Sequence, residues 1–110
     1  VVKLQLAKES VFLGPGSCHL LQLIGHSGLV RMACQQMGIS YSKGWKILNT
    51  MEEELGVQVV ERKKGGKQGG QTCLTPSGRR LLELYTAFER ECLDQIHEVF
   101  CRHFERGQPI

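Results

Sequence analysis

The stretch that decides the fold is Gly38-Ile39-Ser40-Tyr41-Ser42-Lys43-Gly44-Trp45-Lys46-Ile47-Leu48-Asn49-Thr50-Met51, which continues through Glu52-Glu53-Glu54-Leu55 to Gly56. Gly38 closes one helix, Ser40 caps the next, and Gly56 ends it. Within the helix Trp45, Leu48, Met51 and Leu55 recur at three- and four-residue steps, with Ile47 beside them. Tyr41, Ser42, Lys43, Lys46, Asn49 and Thr50 occupy the remaining surface. Such a helix packs through one face and leaves the other free to bind.

Upstream, Leu29, Val30, Ala33, Cys34 and Met37 give a short amphipathic helix that Ser27-Gly28 opens. Before it, Ser17 is the expected cap of a first helix with Leu20, Leu21, Leu23 and Ile24 on its apolar face, ending between Gly25 and Ser27. Gly14-Pro15-Gly16 is expected to break the chain ahead of that helix. Val2 to Ala7 alternates with period two and Val11 to Leu13 is apolar, which predicts a small N-terminal hairpin.

Downstream, Val57 to Arg62 reads as a strand and Thr72 to Leu74 as its partner, joined by the glycine-rich segment 63–71. From Arg62 to Gln71 there are four bases and no acid, although the whole chain carries only +3; the basic excess is local. Thr75-Pro76-Ser77-Gly78 starts a last helix, with proline at its first position, running to about Glu105. At roughly 1.5 Å per residue this helix is about 45 Å long, more than one small domain covers.

The predicted fold class is mainly α with a small β component: a winged helix-turn-helix with a long C-terminal dimerisation helix, in a single domain spanning 1–110. Strands occupy 1–14, the helix-turn-helix and wing 15–74, and the long helix 75–106. An α-helix fits the major groove of DNA, where base edges differ, and a basic hairpin beside it reaches the adjacent backbone. The expected DNA-contacting residues are Ser40, Tyr41, Ser42, Lys43, Lys46 and Asn49 on the third helix, and Arg62, Lys63, Lys64, Lys67, Gln68 and Gln71 on the hairpin. Leu81, Tyr85, Phe88, Cys92, Ile96, Val99 and His103 form one stripe along the last helix, and Leu84, Leu93, Phe100 and Phe104 widen it. That stripe predicts a homodimer.

From Leu20 to Leu84 the sequence resembles the DNA-binding domain of ModE-type molybdate-responsive regulators, and more distantly the winged helix of LysR-type regulators. The matching residues are Ile39-Ser40-Tyr41-Ser42-Lys43-Gly44-Trp45, Leu48-Asn49-Thr50-Met51, Val60-Glu61-Arg62, the run Gly65-Gly66-Lys67-Gln68-Gly69-Gly70, and Leu74-Thr75-Pro76-Ser77-Gly78-Arg79-Arg80-Leu81. Met51-Glu52-Glu53-Glu54-Leu55-Gly56-Val57 is similar to the LysR-type version of the same join. The resemblance implies a dimer through the long helix and DNA contacts through the third helix and wing. Gly44 stands where that family usually has alanine, a difference of up to about 1 kcal/mol in helix propensity. The 110 residues hold no counterpart of the C-terminal molybdate-binding domains of full-length members, so molybdate sensing is not carried over. The small-molecule effector stays open.

Other patterns point to simpler roles. Trp45 shares a face with Leu48 and Met51 and is expected to be mostly buried, its edge at most reaching DNA. The glycine-rich tip lacks phosphate-loop spacing. Glu52-Glu53-Glu54 is expected to face solvent. Five cysteines without CxxC spacing argue against a disulfide framework and a four-cysteine zinc site, and most are expected to be small buried residues. No nucleophile and base set or paired carboxylates suggest an enzyme, and no cofactor is expected. With 41% hydrophobic and 23% charged residues, and no long apolar run or signal peptide, a folded cytoplasmic protein without membrane association is expected. Two alternatives stay open: a winged-helix protein-interaction module, and a metal- or redox-sensing regulator using Cys92, His97 and Cys101.

Overall fold

The computed structural model describes residues 3–8, 11–63 and 71–104. In chain order the elements are β1 (Leu6–Ala7), β2 (Val11–Leu13), α1 (Pro15–Ser27), α2 (Val30–Met37), α3 (Tyr41–Leu55), β3 (Val60–Lys63), β4 (Gln71–Leu74) and α4 (Pro76–Phe104). The strands form two separate antiparallel pairs, β1 with β2 and β3 with β4. This is a winged helix-turn-helix: α2 and α3 form the helix-turn-helix, β3 and β4 the wing.

Local chemistry sets most boundaries. Gly38 takes a left-handed backbone (φ 71°) that an L side chain would strain, and its amide closes α2 onto Cys34 and Gln35. Two residues later the Ser40 hydroxyl accepts the Lys43 amide at 3.1 Å and starts α3, as expected. Helix α1 differs from expectation. It begins at Pro15 behind an extended Gly14, two residues before Ser17, because proline's fixed φ suits the first helical position. Gly14-Pro15-Gly16 therefore enters the helix instead of breaking the chain. Helix α2 opens at Val30, one residue late, with Leu29 in extended conformation.

Strand β3 also starts later than expected, at Val60 instead of Val57. The Glu52 carboxylate accepts the Val59 amide at 2.8 Å and the Val60 amide at 3.4 Å, so α3 captures the chain before the ladder begins. Glu52 is thus a bracket between α3 and the wing, which corrects the expectation that it faces solvent. On the other strand, the Thr72 amide donates to the Gly28 carbonyl at 2.8 Å and fastens the wing to the α1–α2 turn. At the start of α4, the Thr75 hydroxyl donates to the Gln58 carbonyl and accepts the Gly78 amide.

The core gathers Leu13, Leu20, Leu21, Ile24, Val30, Ala33, Leu48, Met51 and Val59, all buried, with Trp45, Ile47, Leu55, Leu81 and Leu82 packed around it. Cys18 and Cys34 are buried, whereas Cys73, Cys92 and Cys101 are half-buried, so fewer are buried than expected; none of them forms a disulfide among the described residues. No helix among the described residues is long and apolar enough to cross a membrane.

Tyr85 belongs to this core. It is only 2% exposed, and its hydroxyl lies 2.8 Å from the Leu4 carbonyl and 3.1 Å from the Glu89 carboxylate, both acceptors. The sequence stripe put Tyr85 on the outward face of α4; instead it ties α4 to the N-terminal segment. Burial, and then the Glu89 carboxylate, push the phenol from 10.0 up to about 12. The folded state thus favours the neutral phenol. The stability this adds is complete below about pH 10 and lost as pH rises toward about 12, the Cys18 thiol adding a smaller effect of the same sign. Thermal melts across this range should show a Tyr85→Phe variant about 1 kcal/mol less stable near neutrality but with a flatter alkaline decline.

Candidate nucleic-acid interface

Helix periodicity divides the outer surface of α3 into two rows. Tyr41, Trp45, Asn49 and Glu52 follow each other at three- and four-residue steps and border the wing, where Trp45, Asn49 and Glu52 share an open groove with Gln58, Val60, Glu61 and Arg62. Ser42, Lys43, Lys46, Ile47 and Thr50 border the other side, in a groove completed by Val11 and Phe12 of β2 and Ser17 of α1. Ser40, Tyr41, Ser42, Lys43, Lys46 and Asn49 are all exposed, and they lie together along α3 and its cap. The helix therefore offers hydroxyl, ammonium and amide groups on a surface flanked by two grooves.

Strand register places the wing side chains. Val60 pairs with Leu74, Arg62 with Thr72 and Lys63 with Gln71. Because alternate strand residues share a face, the same turn of the sheet that buries Val60 brings Arg62 over α3. Its guanidinium sits 4.1 Å from the centre of the Trp45 ring. Lys63 and Gln71 are exposed at the outer end of the described wing, while Lys64, Lys67 and Gln68 lie outside the described residues.

Trp45 is half-buried, and the wing arginine covers its ring. Its Nε1 is buried and finds no hydrogen-bond partner among the described residues. The Tyr41 ring meets Trp45 edge-on at 6.3 Å, and Arg31 of α2 lies over Tyr41 at 5.7 Å. Sequence reasoning missed Arg31. Its signal, a base on the exposed face of a helix that precedes α3, is too common to stand out.

On α4, Leu81 is half-buried against the core, and Tyr85 is inside it. Farther along, Phe88, Ile96 and Val99 are exposed, as are Leu84, Phe100 and Phe104, with Cys92 half-buried and His103 exposed. Phe100 and Phe104 stack at 5.1 Å. Cys101 lies 3.5 Å from His97 Nε2, but no three His, Cys, Asp or Glu side chains gather into a metal-binding group among the described residues.

No protein-family model matches the chain. It is 36% identical over 89 residues to a transcriptional regulator ModE of Haemophilus influenzae, a match covering 81% of this chain and 34% of that protein. To the DNA-binding transcriptional dual regulator ModE of Escherichia coli K12 it is 38% identical over 78 residues, covering 71% of this chain and 30% of the relative. The molybdenum-pterin-binding protein MopB of Rhodobacter capsulatus is 34% identical over 84 residues, covering 76% and 31%. The chain thus spans about a third of the length of these relatives. Among solved structures, a point mutant of Lactococcus lactis ZitR superposes with a TM-score of 0.58 at 14% identity, covering 98% of this chain and 74% of that one. ArgP of Mycobacterium tuberculosis gives 0.53 at 18% identity, covering 74% and 30%. At these identities the superpositions speak for the fold alone, whereas the sequence matches speak for ancestry. Over most of its length, this chain is a winged-helix homologue of the ModE-type transcriptional regulators.

Proposed function

We propose that the 110 residues form one sequence-specific DNA-binding unit of a transcriptional regulator. It acts as a homodimer, with α3 in the major groove of double-stranded DNA and the basic wing on the adjacent backbone. The observation that carries this reading is the exposed polar surface of α3, fixed by the Ser40 cap and the Glu52 bracket beside a wing whose arginine is stacked against the same helix. Lys46 and Asn49, on opposite flanks of that surface, are the base readers, since lysine suits guanine and asparagine suits adenine. Lys63, Lys64, Lys67, Gln68 and Gln71 hold backbone. A dry protein interface fits this surface poorly, because the cores of such interfaces are depleted in lysine. No enzymatic activity is part of the reading.

Lys46→Ala or Asn49→Ala should each lose about 1 to 3 kcal/mol on the preferred site and relax preference at one base pair per half-site. Binding assays across single-base variants of that site check this. Unaltered preference in both would remove them as readers.

The dimer rests on the apolar surface of α4 beyond the core. Phe88, Ile96 and Val99 are 44%, 36% and 44% exposed, and a second copy of the helix buries such a surface as a two-stranded pair does. Light scattering at micromolar concentration should give the dimer mass. A monomer would contradict it.

A further inference from the structure

Four side chains from three elements form a continuous row across the outer surface of the helix-turn-helix and wing: Arg31 of α2, Tyr41 and Trp45 of α3, and Arg62 of β3. Arg31 lies 5.7 Å from the centre of the Tyr41 ring, Tyr41 meets Trp45 at 6.3 Å with the planes 82° apart, and Arg62 lies 4.1 Å from the Trp45 ring. Among the described residues neither arginine forms an ion pair with a carboxylate. Both are exposed.

An arginine held by a ring face keeps its N–H groups free to donate, and less side-chain freedom is lost when those groups bind. Unpaired with acids, such a guanidinium suits an anion that accepts two parallel hydrogen bonds, and phosphate is that anion on DNA. Tyr41 and Trp45 are one turn apart on the same row of α3, so the two arginines stand about one turn apart along the side of the helix that borders the wing. A helix seated in the major groove, about 12 Å wide, has a phosphate backbone on each side.

We propose that Arg31 is a DNA-backbone contact, positioned by Tyr41, and that it works together with Arg62, positioned by Trp45, the two contacting the phosphate backbone along the side of the groove that the wing borders. This inference rests on the DNA-binding reading above and adds a residue and a geometry to it. Tyr41 becomes a positioning residue in place of the DNA contact expected from the sequence, and Trp45 a positioning residue for Arg62.

Phosphate contacts are independent of sequence, so a mixed-sequence duplex of about three helical turns is a sufficient probe. Wild type, Arg31→Ala, Arg31→Gln, Tyr41→Phe, Tyr41→Ala and the Arg31→Ala, Tyr41→Ala double variant are titrated against salt, each checked for fold by circular dichroism. Both Arg31 variants should flatten the slope of log affinity against log salt by about 0.9 for each bound protomer, and weaken binding at 0.1 M salt by about eightfold for each, so by about sixtyfold for a dimer. Tyr41→Phe keeps the ring and should retain the salt slope that Arg31 contributes, whereas Tyr41→Ala should lose part of it. In the Tyr41→Ala background, Arg31→Ala should cost clearly less than in wild type. A folded Arg31→Ala protein with wild-type slope and affinity would overturn the contact, and an undiminished Arg31 effect without the Tyr41 ring would overturn the positioning. Failure of the wild type to bind the duplex even at low salt would instead overturn the DNA-binding reading itself.

Discussion

Gly78→Ala should destabilise this protein by about 2 kcal/mol and lower Tm by about 10 °C, although alanine is the better helix former. A Cβ built on Gly78 runs into the carbonyl oxygen of Val59 and comes within 3.0 Å of its carbonyl carbon. Those are backbone atoms. The same oxygen accepts the Thr75 amide at 3.0 Å, and Val59 is held from its other side by Glu52, so it has little room to retreat. The first turn of α4 must move instead, which pulls on the Thr75 cap and on the packing of Leu81 and Leu82. Gly44 offers an internal comparison. Its Cβ meets the Sγ of Cys34, the end of a side chain that can rotate, so Gly44→Ala should cost less, and Cys34→Ala should offset the cost. The Cys34 thiol thus supplies a physical reason for glycine at this position. Thermal melts of the variants check the ranking; a Gly78→Ala protein as stable as wild type would contradict the close α4–wing contact.

The second large effect concerns the wing. Replacing Lys63, Lys64 and Lys67 with alanine in both protomers of a dimer should flatten the salt dependence of DNA binding by several units. Each neutralised phosphate contributes about 0.9 to that slope, and up to six contacts are removed. Fold stability should change by no more than about 0.5 kcal/mol, since surface substitutions of this kind are near neutral. A salt titration of wild type and triple variant measures the difference. An unchanged slope, with both proteins folded, would mean the wing lysines do not touch the backbone.

Much of the fold was legible because local chemistry agrees with the global arrangement. The Gly38 and Gly56 stops, the Ser40 cap and the Pro76 start all act within a few residues and can be read directly. The errors arose where a long-range contact prevailed. Val57 to Val59 have strand composition, but the Glu52 carboxylate takes the amides of Val59 and Val60. Tyr85 has the spacing of the α4 stripe, but the N-terminal segment covers that part of the helix and draws the phenol inward. At the candidate site, the polar face of α3 followed from period and composition alone. The stacking of Arg62 on Trp45 did not, because it depends on the wing register, and Arg31 depends on how α2 crosses α3. Neither leaves a mark at fixed spacing in the sequence.

Whether α3 reads base sequence in the major groove is decided by selecting bound duplexes from a random pool with the wild-type protein and sequencing them. The expected result is enrichment of a pseudo-palindromic site whose halves lie about one helical turn, some 34 Å, or a multiple of it apart, as two copies of α3 in a symmetric dimer require. Recovery of a pool indistinguishable from the starting one, under salt conditions where the protein binds DNA, would contradict it.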